Sequence, residues 1–188
     1  DENDVFARVS RAGAYMIQRN YDKAYLDYKK LSETSATTDI PDVQEGLAIV
    51  SSHIGKLDDA EKAYEKLLKK NASPVTQINL AELYIVRGKY EKALKLLDSD
   101  TLLRSADKFM KCISSYLAAS ALLATGKDAG EYIKVFNELL PQFRKGTEDI
   151  DWDTALFEKW LKTAKLPQGA AEKIADMTRR AGETFHLK

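Results

Sequence analysis

The stretch from Gly55 to Leu68, GKLDDAEKAYEKLL, has a near-copy, GKYEKALKLLD, from Gly88 to Asp98, 33 residues further on. In the first copy Ala60, Tyr64, Leu67 and Leu68 recur at helical spacing and give one apolar face. Asp58 followed by Glu61 has the spacing of a capping box, in which one side chain accepts a first-turn N–H and the other reaches back. In the second copy Ala93, Leu94 and Leu97 follow Tyr90 in the same way. Another amphipathic run precedes each copy, Val43 to Ile54 and Val75 to Arg87. Gly55 and Gly88 stand between the paired runs, where a residue able to take positive φ ends one helix and reverses the chain. The pattern predicts two consecutive helix–turn–helix hairpins.

Weaker copies flank these two. AGAYMIQRNYDKAYLDYKKL, Ala12 to Leu31, places Asn20, which tolerates positive φ, at the expected turn. Tyr21, Ala24, Tyr28 and Leu31 form its second-helix stripe. Downstream, Ser115 to Pro141 has Gly126 at the turn and Asp128 with Glu131 as a second capping box. Tyr132, Val135, Phe136 and Leu139 follow as the stripe, and Pro141 stops the helix. From turn to turn, Arg19, Gly55, Gly88 and Gly126 are 36, 33 and 38 residues apart.

A period near 34 residues with two helices per unit resembles the tetratricopeptide repeat. The third unit has Leu80, Ala81, Tyr84, Gly88, Tyr90 and Ala93 at that family's consensus spacing. The second has Leu47, Ala48, Gly55, Leu57, Ala60 and Tyr64, with Ser51 in place of the usual tyrosine. The first keeps Ala12, Tyr15, Tyr21, Ala24 and Tyr28 but lacks the turn glycine; the fourth keeps Ala119, Leu122 and Gly126 but carries Glu131 where alanine is usual. The resemblance implies an all-α fold, an α-α superhelix in which helical hairpins stack into a right-handed solenoid. Its mechanical signature is the set of small residues Ala48, Ala60, Ala81 and Ala93, where paired helices must approach closely. Repeat units are expected over about 5–38, 42–73, 74–104 and 106–141, within one domain spanning 1–188. Beyond Pro141, Leu156, Phe157, Trp160, Leu161 and Ala164 share one face, and Ala170, Ile174, Met177, Ala181 and Phe185 share another after Pro167. These two helices, within 151–186, lack the repeat consensus and are expected to form a terminal cap.

Composition narrows the function. Hydrophobic residues make up 44% and charged residues 31%, the balance of a folded, soluble chain. Lys plus Arg equal Asp plus Glu at 29 each, which argues against a nucleic-acid partner, since that leaves a basic excess or stripe. The longest apolar run, Cys112 to Ala124, is too short and too hydroxyl-rich for a membrane span. Cys112 is the one cysteine, so no internal disulfide forms and a small buried hydrophobe is the expected role. No charged-then-apolar leader opens the chain, and it does not begin with Met. A cytoplasmic location is the expectation, with export after signal cleavage, or excision from a longer protein, as alternatives.

Catalytic chemistry finds no foothold. The two histidines, His53 and His186, are far apart in the chain, and no paired-His helix motif, phosphate-binding loop or nucleophile elbow occurs. Asp149, Asp151 and Asp153 alternate as in a calcium loop, but the sixth and twelfth positions are Thr154 and Trp160 rather than glycine and an acid. A helix N-cap at Asp151 or Asp153 accounts for the cluster. The expectation is a non-enzyme without cofactor or metal.

What the family resemblance implies is a surface. Tetratricopeptide repeats hold a partner peptide or helix in the groove lined by the first helix of each unit. Carried over residue by residue, the groove positions are Phe6, Val9, Gly13 and Met16, then Glu45, Ile49, Ser52 and His53, then Ile78, Asn79, Glu82 and Ile85, then Tyr116, Ser120 and Leu123. One subfamily clamps the C-terminal carboxylate of heat-shock chaperones with lysines, an arginine and asparagines, and only Asn79 matches that set. The clamp's first positions here are Val9 and Gly13, or Glu45 and Ile49, so a helix or extended segment with apolar anchors and some positive charge suits this groove better. A structural or oligomerisation module, its groove filled by the chain's own helices, is the alternative.

Overall fold

In the computed structural model, which describes residues 5–34, 36–70, 73–98, 102, 107–143 and 152–185, four chain reversals share one backbone geometry. Arg19, Gly55, Gly88 and Gly126 take φ of 55°, 77°, 70° and 71°. The N–H of the next residue then donates to a carbonyl five positions back: Asn20 to Tyr15, Lys56 to Ser51 and Lys89 to Tyr84 at 2.8 Å each, and Lys127 to Leu122 at 2.9 Å. These closures satisfy carbonyls that a helix end otherwise leaves open. The turns therefore fall at the four positions the repeat spacing marks. At the first, the left-handed residue is Arg19 and not Asn20, whose φ is −87°. The helix end dictates which position turns, whatever residue stands there. A non-glycine residue pays about 1 kcal/mol for this conformation. Arg19→Gly is therefore expected to raise stability by about 0.5 kcal/mol, read as a melting temperature higher by about 1–2 °C.

Every described element is helical, and the chain divides into two compact units, 1–76 and 77–188. The first unit contains α1 (Val5–Ile17), α2 (Tyr21–Glu33), α3 (Pro41–His53) and α4 (Leu57–Lys70). Helix α1 packs on α2 and α3 on α4, while α2 also packs on α3 and α1 touches α3, so one hairpin stacks on the next. Ala12, Ala24, Ala48 and Ala60 have no exposed surface, as close helix approach requires. Asp27 ties α1 to α2 by accepting from Arg8 Nη1 at 3.0 Å and from Arg11 Nε and Nη2 at 2.8 and 2.6 Å. The two guanidiniums, Arg11 foremost, hold its carboxyl below the usual carboxylate range. The Tyr25 hydroxyl donates to Asp59 at 2.7 Å and so joins α2 to α4. Because α4 begins at Leu57, Asp58 lies within its first turn and not at a cap, so the expected box with Glu61 is not the N-terminal device. Asp58 and Asp59 instead place negative charge at the positive helix end.

The second unit takes in most of α5 (Pro74–Val86), then α6 (Tyr90–Leu97), α7 (Lys108–Ala124), α8 (Gly130–Leu139), a 3-10 turn (Leu140–Gln142), α9 (Ala155–Leu161) and α10 (Ala170–Phe185). Helix α7 is packed by α6, α8 and α10, which explains why every residue from Cys112 to Ala121 is buried. Asp107 caps it, accepting from the N–H groups of Phe109 and Met110. Asp128 accepts from Gly130 N–H at 3.0 Å at the start of α8. Ala170, Ile174, Met177, Ala181 and Phe185 are all buried, as their spacing predicts. Helix α9 stops at Leu161, short of the Ala164 end of its stripe. The N-cap of α9 is Thr154 and not Asp153, which stands one position before it and accepts from Ala155 N–H at 2.8 Å; Asp149 and Asp151 lie outside the described residues. Cys112 has no exposed surface, and burial pushes its thiol up to about 12, so it is a packed hydrophobe.

Candidate functional site

The residues assigned to a groove fall into two sets with different surroundings. In the first unit Phe6 is 80% exposed and His53 is exposed, while Val9, Gly13, Met16, Glu45, Ile49 and Ser52 are half-buried. In α1 the only fully enclosed residue is Ala12, where the helix packs on α2 and touches α3. Ser52 Oγ donates to the Ala48 carbonyl at 2.9 Å and is thus turned back on its own helix. His53 stacks flat on Tyr21, with ring centroids 4.1 Å apart and planes 2° apart. The two rings border an open cleft of about 580 Å³ between the first hairpin's turn, Gln18 to Asp22, and the end of α3. Of the expected groove residues, only His53 lines that cleft. Repeat spacing gives no reason to single out the cleft, because the turn residues that line it carry the pattern itself.

In the second unit Ile78, Glu82, Ile85, Tyr116, Ser120 and Leu123 are buried, and Asn79 is half-buried. Tyr116 shows what covers them. Its hydroxyl shares a hydrogen bond with Thr178 Oγ1 of α10 at 2.7 Å. Its ring lies 5.3 Å from those of Trp152 and Phe157 and 5.9 Å from Phe136. Ser120 Oγ donates to the Tyr116 carbonyl at 2.8 Å. The C-terminal segment and helices thus occupy the face that α7 presents.

Glu82 shares this enclosure. Its carboxyl is pushed up to about 8, chiefly by burial, and the negative charge of Asp153 adds to the shift. The Trp152 indole N–H lies against the carboxyl and opposes that shift by favouring the ionised form, but the contact falls short of a well-formed hydrogen bond. Both Glu82 Oε1 and Trp152 Nε1 are buried without a partner. Trp152 belongs to no helical stripe, so periodicity gave no sign of its importance. Its one sequence signal is a large aromatic between two aspartates just before a helix.

Among the described residues no group of three or more His, Cys, Asp or Glu is arranged to hold a metal ion. No described helix is long and apolar enough to cross a membrane. The tetratricopeptide repeat family model matches residues 54–105, from the turn before α4 to beyond α6. Over that stretch the sequence is similar to the tetratricopeptide repeat, and the helical hairpins of the fold are consistent with that similarity. A search of curated proteins finds no match to the chain. Repeats of this kind make protein–protein interaction modules, and all-helical folds built from them are typically non-catalytic.

Proposed function

We propose that the protein is a non-enzymatic interaction module that takes a partner peptide or helix on the first helices of its first unit. The observation that carries this reading is Phe6, a large apolar side chain 80% exposed on α1, with Val9 and Met16 half-buried on the same helix. Exposed apolar groups gathered on one element mark contact surfaces more often than scattered ones do. Ile49 adds a further apolar group on α3, and Glu45 offers a negative charge to a basic group on the partner. A segment with apolar anchors one helical turn apart and a lysine or arginine beside them suits this chemistry. Apart from half-buried Asn79, the groove positions of the second unit are buried, and the reading rests on the first unit's Phe6, Val9, Met16, Glu45, Ile49, Ser52 and His53.

The test compares two exposed apolar residues on neighbouring helices. Phe6→Glu is expected to weaken retention of a purified partner at least tenfold. Leu26→Glu, 67% exposed on α2, is expected to leave retention unchanged. Both variants change surface groups and should fold. Equal retention by Phe6→Glu and the unaltered protein would remove α1 from the binding surface.

A further inference from the structure

We propose that the outer face of α1 pairs with the same face of a second copy of this chain, as an antiparallel two-fold helix pair that crosses at Ser10 and Gly13. The proposal rests on the reading of α1 as the contact helix and names what meets its outer side. Phe6, Ser10, Gly13, Ala14 and Ile17 share one side of α1 at helical spacing. Phe6 and Ile17 are 80% and 87% exposed, Ser10 and Ala14 are exposed, and none of the five is charged. Gly13 is the residue that the chain's own packing does not account for. A glycine inside a helix is destabilising relative to alanine. At Gly46 the ring of Tyr28 fills the place a Cβ would take, but a Cβ added at Gly13 would meet nothing within 4 Å. The space that Gly13 leaves serves a helix approaching from outside.

Helix α3 shows what such a face does when it is covered. Ala12 and Ala48, 36 residues apart, both lack exposed surface, and Arg19 and Gly55 reverse the chain at the same spacing. On that alignment Ser10 and Ala14 correspond to Gly46 and Val50, both buried, with Gly46 against Tyr28 of α2. The side of α3 that receives a helix is thus the side that α1 leaves exposed. The face is also its own complement. Phe6 and Ile17 stand equally far from the point between Arg11 and Ala12, as do Ser10 and Gly13. A two-fold axis at that point lays Phe6 of each copy on Ile17 of the other, with the small residues in the middle where the axes approach. Charge permits the pairing. Arg11 is the one exposed charged residue of α1, and Asp27 holds it by two hydrogen bonds of 2.8 and 2.6 Å. Two copies therefore meet without opposing unpaired like charges, while a charged segment gains no ion pair on these five residues.

Sedimentation equilibrium of the full chain from about 1 μM to about 1 mM is the measurement, and a reversible monomer–dimer equilibrium is the expected result. Gly13→Lys, whose side chain starts in open space in the single copy, should weaken dimerisation at least tenfold and leave the melting temperature of the dilute monomer no lower. Phe6→Lys and Ile17→Glu change exposed groups and should each weaken it to a similar extent. An equimolar mixture of those two variants should recover dimer that neither forms alone, because only an antiparallel pair sets the two substituted positions opposite each other. A chain that stays monomeric throughout the series overturns the self-pairing. So does dimerisation that Gly13→Lys leaves unchanged, or a mixture that recovers nothing. A monomeric chain whose Phe6→Glu variant still loses a purified partner sets aside the self-pairing alone; unaltered retention by that variant sets aside α1 as the contact helix as well.

Discussion

Replacing Gly46 by alanine is expected to lower the melting temperature by about 4–8 °C, against the sign that helix propensity alone predicts. Gly46 lies in the interior of α3, where alanine would ordinarily gain about 1 kcal/mol. Here an added Cβ would stand 2.3, 2.4 and 2.7 Å from Cζ, Cε1 and Cε2 of Tyr28 on α2. Tyr28 is buried, so its ring has no open space into which to turn. Forcing a methyl into such a contact costs about 1–3 kcal/mol, or more where the backbone must shift. Steric cost outweighs propensity, and a net loss of about 2 kcal/mol is the expected balance. The paired variant Gly46→Ala with Tyr28→Leu removes the ring and should recover part of the loss in a double-mutant cycle. A higher melting temperature for Gly46→Ala alone would mean that α2 and α3 do not meet at this residue.

Glu82→Gln is expected to stabilise the protein at pH 7 by on the order of 3 kcal/mol, with no advantage at pH 4. The ordinary value for this carboxyl is 4.5, and in the folded chain it is pushed up to about 8. Between those values the folded protein holds a proton that the unfolded chain releases. Stability is therefore full below 4.5, falls by about 1.4 kcal/mol per pH unit as pH rises, and levels off beyond 8. Glutamine stays neutral and contributes no such slope. Urea midpoints of both proteins from pH 4 to 7.5 isolate the effect, because every other titrating group is common to the two. The curves should meet at the acid end and diverge toward neutrality. Curves that stay parallel would show that Glu82 is solvated in the folded state.

The repeat was legible because its determinants are local. Gly55, Gly88 and Gly126 announce helix ends by residue type, and Arg19 does so only through its spacing from them. Asn20 misled because tolerance of positive φ is a property of the residue, whereas the demand for it is a property of the position. Asp58 misled for a similar reason: the three-residue turn starts α4 two positions earlier than a cap at Asp58 requires. The buried stripe of α10 followed from period alone, since one face of an isolated amphipathic helix must be covered by something. What covers a first-helix position is a different matter. Glu82 and Trp152 are 70 residues apart, and no periodicity links them. Gly46 was hidden too, because a helix-interior glycine reads as a penalty until the ring beside it is located.

Cys112 turns the second unit into its own chemical clock. It is the one thiol in the chain, it has no exposed surface, and it lies on the helix that α6, α8 and α10 enclose. A thiol reagent in solution can meet it only during an opening of that unit, and an opening confined to the first unit leaves it untouched. The rate at which a disulfide reagent modifies the folded protein, set against its rate on the unfolded chain, therefore gives the opening free energy of one half of the molecule alone. No label, tag or added residue is needed to read it.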